Sequence, residues 1–299
     1  MRVLTKNITS IYGNIGDAWL AALPDFLKEI ENVHNIKIEN PFQNLTYHYA
    51  AIAIQSDGSE CVFKCGVPNE ALVNEIRALQ YFDGNGAVKL LDADENKGWL
   101  LLERCSPGVS LSQLKDDRAT LIAIQTMQSL WRACDDDHWK FRHIKNRLQG
   151  LQRAKQLNSS IPKKLIHDAI FMSDELLSSL GEVVLLHGDL HHDNILSASR
   201  QPFLVIDPNG IVGEREYEIG ALMRNPYSTI ETDTNLKKCF DRRLSIITEL
   251  TRFNRERLLM WTFVQAVLAA WWHVEDNTNG IENMQHVANV SYEMIIKKE

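Results

Sequence analysis

The sequence lacks the features that mark several large classes of protein. It has five cysteines in 299 residues and no CxxC pair, which argues against zinc-ribbon and thioredoxin-type sites. Its longest apolar run, Ala266–Trp272, is far shorter than the roughly 20 residues that a membrane span needs. Lysine and arginine number 32 against 39 aspartate and glutamate, and the net charge of −7 does not suit nucleic-acid binding. We therefore expect neither a nucleic-acid nor a membrane partner.

The cysteines and the N-terminus predict a reduced, cytoplasmic protein. Cys61 and Cys65 fall in a predicted strand, where a rise of about 3.3 Å per residue puts them beyond disulfide reach. The N-terminal stretch has no sustained apolar segment of the kind found in signal peptides, and it contains Asp17. Absence of disulfides is typical of the cytosol.

The hydrophobic pattern changes once along the chain and predicts an α+β fold. Residues 45–65 resemble a β-hairpin around a Ser-Asp-Gly-Ser turn, residues 69–82 a helix, and 88–91 and 98–102 two further strands. A Pro-Gly break follows at 107–108. Beyond it the pattern is mainly helical, with helices predicted over roughly 110–134, 142–157, 162–180, 235–251, 254–275 and 280–296 and short strands over 183–186 and 203–206. The predicted domains are 1–104, a small sheet carrying one helix, and 105–299.

The densest polar cluster is the segment HGDLHHDN at 187–194, which follows the apolar strand VVLL. Packing does not explain so many ionisable and amide side chains between two apolar strands. One hypothesis is a metallohydrolase site, because GDLH and HHD resemble fragments of binuclear metal centres. Such centres need a second cluster of histidine and aspartate, and the sequence has none.

The other hypothesis is phosphoryl transfer, which accounts for the spacing. Kinases carry an aspartate that positions the acceptor hydroxyl and, five residues later, an asparagine that binds Mg²⁺. Asp189 and Asn194 have this spacing, and Asp207 ends the next strand as a second candidate metal ligand. Lys64, at the end of a hairpin strand, would hold the phosphates, and Glu75 on the next helix would orient Lys64. Each residue alone is unremarkable, but their order on these elements favours a kinase.

At these residues the chain resembles the aminoglycoside phosphotransferases, in the branch of streptomycin 6-phosphotransferases and hydroxyurea-resistance kinases. The resemblance rests on HGDLHHDNIL, LVIDPNGIVGE and AAW at 269–271, and it extends to GAVKLL at 86–91 and LLLER at 100–104. It implies a bilobal protein-kinase-like fold with a small N-terminal β-sheet lobe, a larger helical lobe and ATP in the cleft. It also implies that Asp189 is the catalytic base and that backbone groups of Glu103–Cys105 hold the adenine.

Two departures from protein kinases narrow the function. The segment 44–49 lacks a glycine-rich phosphate loop, as antibiotic kinases of this type also do, and the metal-binding Asp207 is followed by Pro208. Nothing resembles an activation segment with a phosphorylation site. A small-molecule kinase is therefore favoured over a protein kinase.

The acceptor is predicted to meet the far end of the helical domain. Trp271, Glu275 and Asp276 lie near the end of a long apolar helix, and aromatic and carboxylate groups suit guanidinium or ammonium ions. A core tryptophan followed by an acidic helix end is the simpler interpretation, and we favour it. Three glutamates follow Asp207 in the sequence, at Glu214, Glu216 and Glu218. They are either part of the site or a run of charged side chains exposed to solvent.

The sequence thus predicts an ATP- and Mg²⁺-dependent O-phosphotransferase that acts on a small-molecule hydroxyl, with a streptomycin-type aminoglycoside as the expected acceptor. A metabolite or hydroxyurea kinase is the alternative within this class. A metallohydrolase and a non-catalytic kinase-like binding protein are the alternatives from other classes. The intact set of Lys64, Glu75, Asp189, Asn194 and Asp207 argues against the last of these. The oligomeric state is left open.

Overall fold

The computed structural model of the protein describes residues 1–134, 139–157, 160–232 and 235–297, with side chains at 231 and 232 excluded. The chain forms two compact units. The first comprises Met1–Gly108 together with Ala198–Pro202, and the second comprises Val109–Ser197 and Phe203–Glu299. The predicted division at 104/105 falls close to the end of the first unit, but it did not anticipate that a short later segment joins that unit.

The first unit is built on an antiparallel five-stranded sheet. Its strands lie in the order β1-β2-β3-β5-β4, so the hairpin predicted from the sequence forms the centre of the sheet. They are β1 (Ile36–Pro41), β2 (Tyr49–Gln55), β3 (Glu60–Cys65), β4 (Leu90–Asp94) and β5 (Trp99–Glu103).

Three helices accompany this sheet, and the prediction of a single helix was wrong. They are α1 (Arg2–Tyr12), α2 (Asn14–His34) and α3 (Glu70–Phe82). Residues such as Leu4 and Ile8 of α1 are buried in one cluster with Phe63 of the sheet. Because α1 and α2 bury only a narrow apolar stripe, their pattern is weak, and contact with the sheet stabilises them.

The second unit is mainly helical. Its helices within the described residues are α4 (Asp116–Leu130), α5 (Ile144–Gln156), α6 (Lys163–Ser178), α7 (Arg215–Met223), α8 (Tyr227–Thr232), α9 (Leu236–Thr251), α10 (Arg255–Glu275) and α11 (Ile281–Ile296). Five of the six predicted helices lie close to their expected bounds, whereas the helix predicted over 110–134 is shorter, and α7 and α8 were not predicted. The helix α10 is buried on every side over most of its length, which is why its sequence is apolar all round.

Two small sheets carry the polar motifs of the second unit. The strands β6 (Arg142–His143), β10 (Ile211–Glu214) and β7 (Val183–Leu186) form one sheet in the order β6-β10-β7. The strands β8 (Ile195–Ser197) and β9 (Phe203–Val205) form an antiparallel pair. In this pair Ile195 lies opposite Val205, so the residues just before β8 and just after β9 are neighbours.

Within the described ranges, no helix combines the length and the apolar character that crossing a membrane would require.

The interpretation of Glu214 and Glu218 as solvated residues was wrong, because both are buried. Arg257 donates to Glu214 through Nε and Nη2, each at 2.8 Å, and the backbone N–H of Gly181 donates to it at 2.7 Å. The Nε1–H of Trp261 is a further donor to the same carboxylate. Glu214 therefore joins α10 to the end of β10 through a buried ion pair.

We expect Arg257→Met to destabilise the fold strongly, because it leaves Glu214 buried without its cation. Breaking a buried ion pair by removing one partner typically costs about 3–5 kcal/mol. The matched control is Arg255→Met, since Arg255 pairs with Asp241 at 2.5 Å in an exposed contact, and exposed pairs contribute about 1 kcal/mol or less. Urea unfolding of both variants measures the difference, and equal losses would contradict the role given to Glu214.

Candidate active site

The segment 187–194 leaves β7 as a loop whose first histidine is structural. His187 is completely buried; its Nε2 lies 2.8 Å from the carbonyl oxygen of Ile206, and its Nδ1 accepts the N–H of Asp189 at 3.3 Å. Burial lowers the pKa of His187 to about 4 and that of the buried His192 to about 3. Both imidazoles are therefore neutral at physiological pH, and His187 fixes the loop against the end of β9.

Asp189 presents its carboxylate beside two arginines. Arg224 Nη2 donates to Asp189 Oδ1 at 2.5 Å, while Arg147 Nη1 donates to the carbonyl of Gly188 at 2.6 Å. The side chain of Asp189 is 30% exposed. Burial acts to raise the pKa of Asp189, but the positive charges of Arg224 and Arg147 outweigh it and hold the pKa well below its usual range. Asp189 is thus an ionised hydrogen-bond acceptor that solvent reaches.

Asn194 and Asp207 flank the open end of the β8–β9 pair. The backbone N–H of Ile206 donates to the carbonyl of Asn194 at 3.0 Å, which brings Asp207 next to this position. Asn194 Nδ2 donates to the carbonyl of Asp189 at 3.0 Å, so its amide oxygen is oriented away from that bond. Asp207 adopts a left-handed backbone conformation with φ of 57°, which is uncommon for a non-glycine residue. Amide and carboxylate oxygens are the ligands that Mg²⁺ prefers, so these two residues fit that ion.

Lys64 and Glu75 form a buried ion pair within the first unit. Lys64 Nζ donates to Glu75 Oε1 at 2.7 Å and to Oε2 at 2.8 Å, and both residues are only 5% exposed. The pair joins β3 to α3, as the sequence hypothesis requires of a lysine that is held in place by a helix carboxylate. It fixes a cation at the end of a rigid strand.

Glu103 and Cys105 lie at the end of β5 and just beyond it. The carboxylate of Glu103 accepts from Arg200 through Nε and Nη2, both at 2.8 Å, and from the N–H of Lys89 at 3.0 Å. Burial acts to raise the pKa of Glu103, and the Arg200 contact lowers it below its usual range. Arg200 belongs to the short segment that joins the first unit, and the sequence did not single it out.

The predicted acceptor residues do not form one cluster of accessible groups. Trp271 is 2% exposed and lies in the core of the second unit, which agrees with the simpler interpretation of this tryptophan. Glu275 is paired with Arg153, whose Nε donates to Oε1 at 2.7 Å. Asp276 is exposed, and its partial burial together with the charge of Glu275 raises its pKa above the usual value.

Glu218 is a site residue whose role the sequence did not reveal. It is 1% exposed, and its two carboxylate oxygens accept the backbone N–H groups of His187 at 2.7 Å and Gly188 at 2.9 Å. Burial raises the pKa of Glu218 to about 7, although these hydrogen bonds act to lower it. Glu218 therefore holds the backbone on which Asp189 is mounted.

Comparison with known proteins decides between the hypotheses for this site. The family described as aminoglycoside/hydroxyurea antibiotic resistance kinase matches residues 43–277. The chain belongs to this family. It is 26% identical over 290 residues to streptomycin 6-kinase from Streptomyces glaucescens, covering 93% of this chain and 92% of that protein. It is 28% identical over 270 residues to hydroxyurea phosphotransferase from Kitasatospora aureofaciens, covering 88% and 77%.

A solved structure supports the same conclusion at the level of the fold. A thermostable mutant of the aminoglycoside phosphotransferase APH(4)-Ia, crystallised with ADP and hygromycin B, superposes with a TM-score of 0.65 at 12% identity, covering 92% of this chain and 98% of that chain. The protein thus has the protein-kinase-like fold expected from the sequence. It is an antibiotic-resistance-type small-molecule kinase, which uses ATP to phosphorylate a hydroxyl group.

Family membership removes the metallohydrolase and the non-catalytic binding protein from consideration. Across the part of the chain that the structure describes, no three His, Cys, Asp or Glu side chains are grouped so as to hold a metal ion.

In this kinase, Glu218→Gln should lower kcat at about pH 8, where the carboxylate of Glu218 is ionised. The glutamine amide directs its NH₂ group at one of the two backbone N–H donors, so one hydrogen bond is lost and the loop that carries Asp189 shifts. Misplacing a catalytic group in this way costs about 10–100-fold in rate. Steady-state kinetics with ADP release as the readout measures the loss. Glu216→Gln, two residues away on the same helix, is the matched control, and a similar fall in both variants would argue against a specific role for Glu218.

Proposed function

We propose that this kinase transfers the γ-phosphoryl group of MgATP to a hydroxyl of a streptomycin-type aminoglycoside. The observation that carries the proposal is the similarity to streptomycin 6-kinase over nearly the whole of both chains. Phosphorylation of the 6-hydroxyl, on the aminocyclitol that bears the guanidinium groups, is the form of the reaction that this relative's name supports. Hydroxyurea is the second candidate acceptor, because a hydroxyurea phosphotransferase is also a relative over most of the chain.

On the donor side, Lys64 is proposed to bind the phosphates and Glu75 to hold it in position. A free lysine side chain samples many rotamers, and the bidentate contact with Glu75 at 2.7 and 2.8 Å removes most of this freedom before the nucleotide arrives. Backbone groups of Glu103–Cys105 are proposed to bind the adenine. The ion pair of Glu103 with Arg200 keeps this stretch fixed.

Asn194 and Asp207 are proposed to bind Mg²⁺. When bound, MgATP supplies the phosphoryl group, and the metal neutralises the negative charge that would repel the attacking oxygen. The contribution of this chain is geometric, because the hydrogen bond between Ile206 and Asn194 sets the spacing of the two ligands before any ion binds. The small, strongly hydrated Mg²⁺ tolerates little variation in ligand position.

Asp189 is proposed to accept the hydrogen bond of the acceptor hydroxyl. Its depressed pKa keeps the carboxylate ionised throughout the physiological range. A carboxylate with a low pKa is a weak base, so its main effect is to align a hydroxyl lone pair with the phosphorus atom. This agrees with a phosphoryl transfer in which positioning and electrostatics supply most of the rate enhancement.

The acceptor is tested by incubating the protein with MgATP and a panel of streptomycin, kanamycin and hydroxyurea. We expect a phosphate adduct on the streptidine ring of streptomycin, detected by mass spectrometry and located by fragmentation, and little adduct on kanamycin. If a phosphate adduct forms on hydroxyurea alone, hydroxyurea and not streptomycin is the acceptor.

Asp189→Ala should lower the rate by about 10²–10⁴-fold while calorimetry still detects MgATP binding. If the Asp189→Ala enzyme is fully active, the proposed role of Asp189 is rejected.

Lys64 and Glu75 should act as a unit in turnover. Lys64→Met and Glu75→Gln are each expected to lower kcat/KM for ATP, since the first removes the cation and the second releases it from its position. The double variant should lose little more than the worse single variant, because residues in one contact are coupled. If the fold-losses in kcat/KM of the two single variants multiply in the double variant, the two residues contribute independently. Arg77→Gln, on the exposed side of the same helix, is the control and should retain parent kinetics.

A further inference from the structure

Arg224 has an unusual position for an arginine, because it is buried against the proposed catalytic carboxylate. It follows directly after α7, its side chain is 9% exposed, and its Nη2 donates to Asp189 Oδ1 at 2.5 Å. Its Nε is buried and has no hydrogen-bond partner among the described residues. Burying a guanidinium with an unsatisfied N–H is costly. The contact with Asp189 is the interaction that compensates for this cost.

The position of Arg224 is itself fixed by a second buried arginine. Arg243 Nη1 donates to the carbonyls of Leu222 at 2.9 Å and Asn225 at 2.6 Å, on either side of Arg224 in the chain. The Nε and Nη2 of Arg243 donate to Asp116 Oδ1 at 2.9 and 2.5 Å. Unpaired carbonyls at a helix C-terminus are thereby satisfied, and the turn that presents Arg224 is held against α4 and α9.

The loop on the other side of Asp189 is also held by an arginine. Arg147 binds the carbonyl of Gly188 at 2.6 Å, and its guanidinium lies 4.7 Å from the ring centre of Trp272. Gly188 has a φ of 85°, and a Cβ atom there would lie 2.7 Å from Ile211 Cδ1. The backbone before Asp189 is therefore restrained, so the orientation of its carboxylate depends on what binds Oδ1.

We propose that Arg224 is a positioning residue for Asp189, which rests on the proposed role of Asp189 toward the acceptor hydroxyl. By occupying Oδ1, Arg224 turns the carboxylate so that Oδ2 meets the hydroxyl. His191 lies on the Oδ2 side, with its Nε2 3.9 Å from that oxygen. Without Arg224 the carboxylate rotates about its side-chain bonds and loses the near-attack arrangement. The loss falls on kcat, because Arg224 acts through Asp189 and not on the nucleotide.

The test measures kcat and KM for ATP after Arg224→Ala is introduced into the parent enzyme and into the Asp189→Ala variant. The assays use the full-length protein, MgATP and the acceptor identified with the panel above. In the parent background we expect kcat to fall about 100-fold, with KM for ATP within about threefold. In the Asp189→Ala background the same substitution should lower kcat no further, because the residue it positions is absent. Arg255→Ala is the matched control, since Arg255 makes an equally short contact with Asp241 at the surface.

The outcomes separate the two claims. If Asp189→Ala retains parent activity, the proposed function of Asp189 fails. The inference about Arg224 is overturned if Asp189→Ala is inactive while Arg224→Ala keeps kcat within threefold of the parent enzyme. It is also overturned if Arg224→Ala lowers kcat by the same factor in both backgrounds. In either case the proposed role of Asp189 stands. Thermal melting confirms that each variant is folded. Arg224→Met, which retains the apolar stem of the side chain, carries the same expectations should the alanine variant fail to fold.

Discussion

The second unit depends on a buried carboxylate that accepts hydrogen bonds from the backbone before Asp189. Glu218 binds the N–H groups of His187 and Gly188, which lie where β7 ends and no sheet partner is available. Buried N–H groups need an acceptor, and a carboxylate provides two in a fixed geometry. The left-handed conformation of Gly188 then turns the chain toward Asp189. The geometry of the loop is thus set by a helix residue that is 1% exposed and never meets solvent.

The helix α7 concentrates this support in one short stretch of chain. Glu214 precedes it and pairs with Arg257, Glu218 lies within it and binds the loop, and Arg224 follows it and contacts Asp189. Because burial of charge is expensive, such groups are tolerated only where each has a partner of good geometry. The partners come from α10 and from the loop that follows β7. A displacement of α7 would disturb all three contacts together, so stability and activity are coupled through this helix.

The grouping of the residues proposed for catalysis in the second unit could be predicted from the sequence, because chain spacing sets their positions. Asn194 is the fifth residue after Asp189, and Asp207 follows the short hairpin of β8 and β9. The longer helices of the second unit were also predictable, since they bury broad apolar faces, whereas the short helices α7 and α8 were missed. The N-terminal helices α1 and α2 were missed because their apolar stripes are narrow and are completed only by contact with the sheet.

Glu218, Arg224 and Arg147 could not be assigned in the same way. Each is a charged residue in a helical or turn segment, and its local pattern is that of a solvated surface. Their partners lie 30, 35 and 41 residues away along the chain, so only the folded structure reveals that they converge on Gly188 and Asp189. The one local signal was the arginine that ends the apolar run GALM, where a charged side chain must leave the core or find a partner within it.

The charges around Asp189 bear on which acceptors this site admits. Arg224 and Arg147 make the surroundings of the reacting hydroxyl positive, whereas an aminoglycoside is itself a polycation. In the proposed arrangement, the cationic groups of such an acceptor would be directed away from these two arginines. At the end of α10, burial of His273 and then the charge of Arg224 lower the pKa of His273, whose Nε2 lies 2.6 Å from the hydroxyl of Tyr227. The chemistry of phosphoryl transfer does not determine this outer arrangement, and the fold alone leaves the substrate open. Under the proposed role of Asp189, acceptor choice would then depend on groups farther from the reacting hydroxyl than the two arginines.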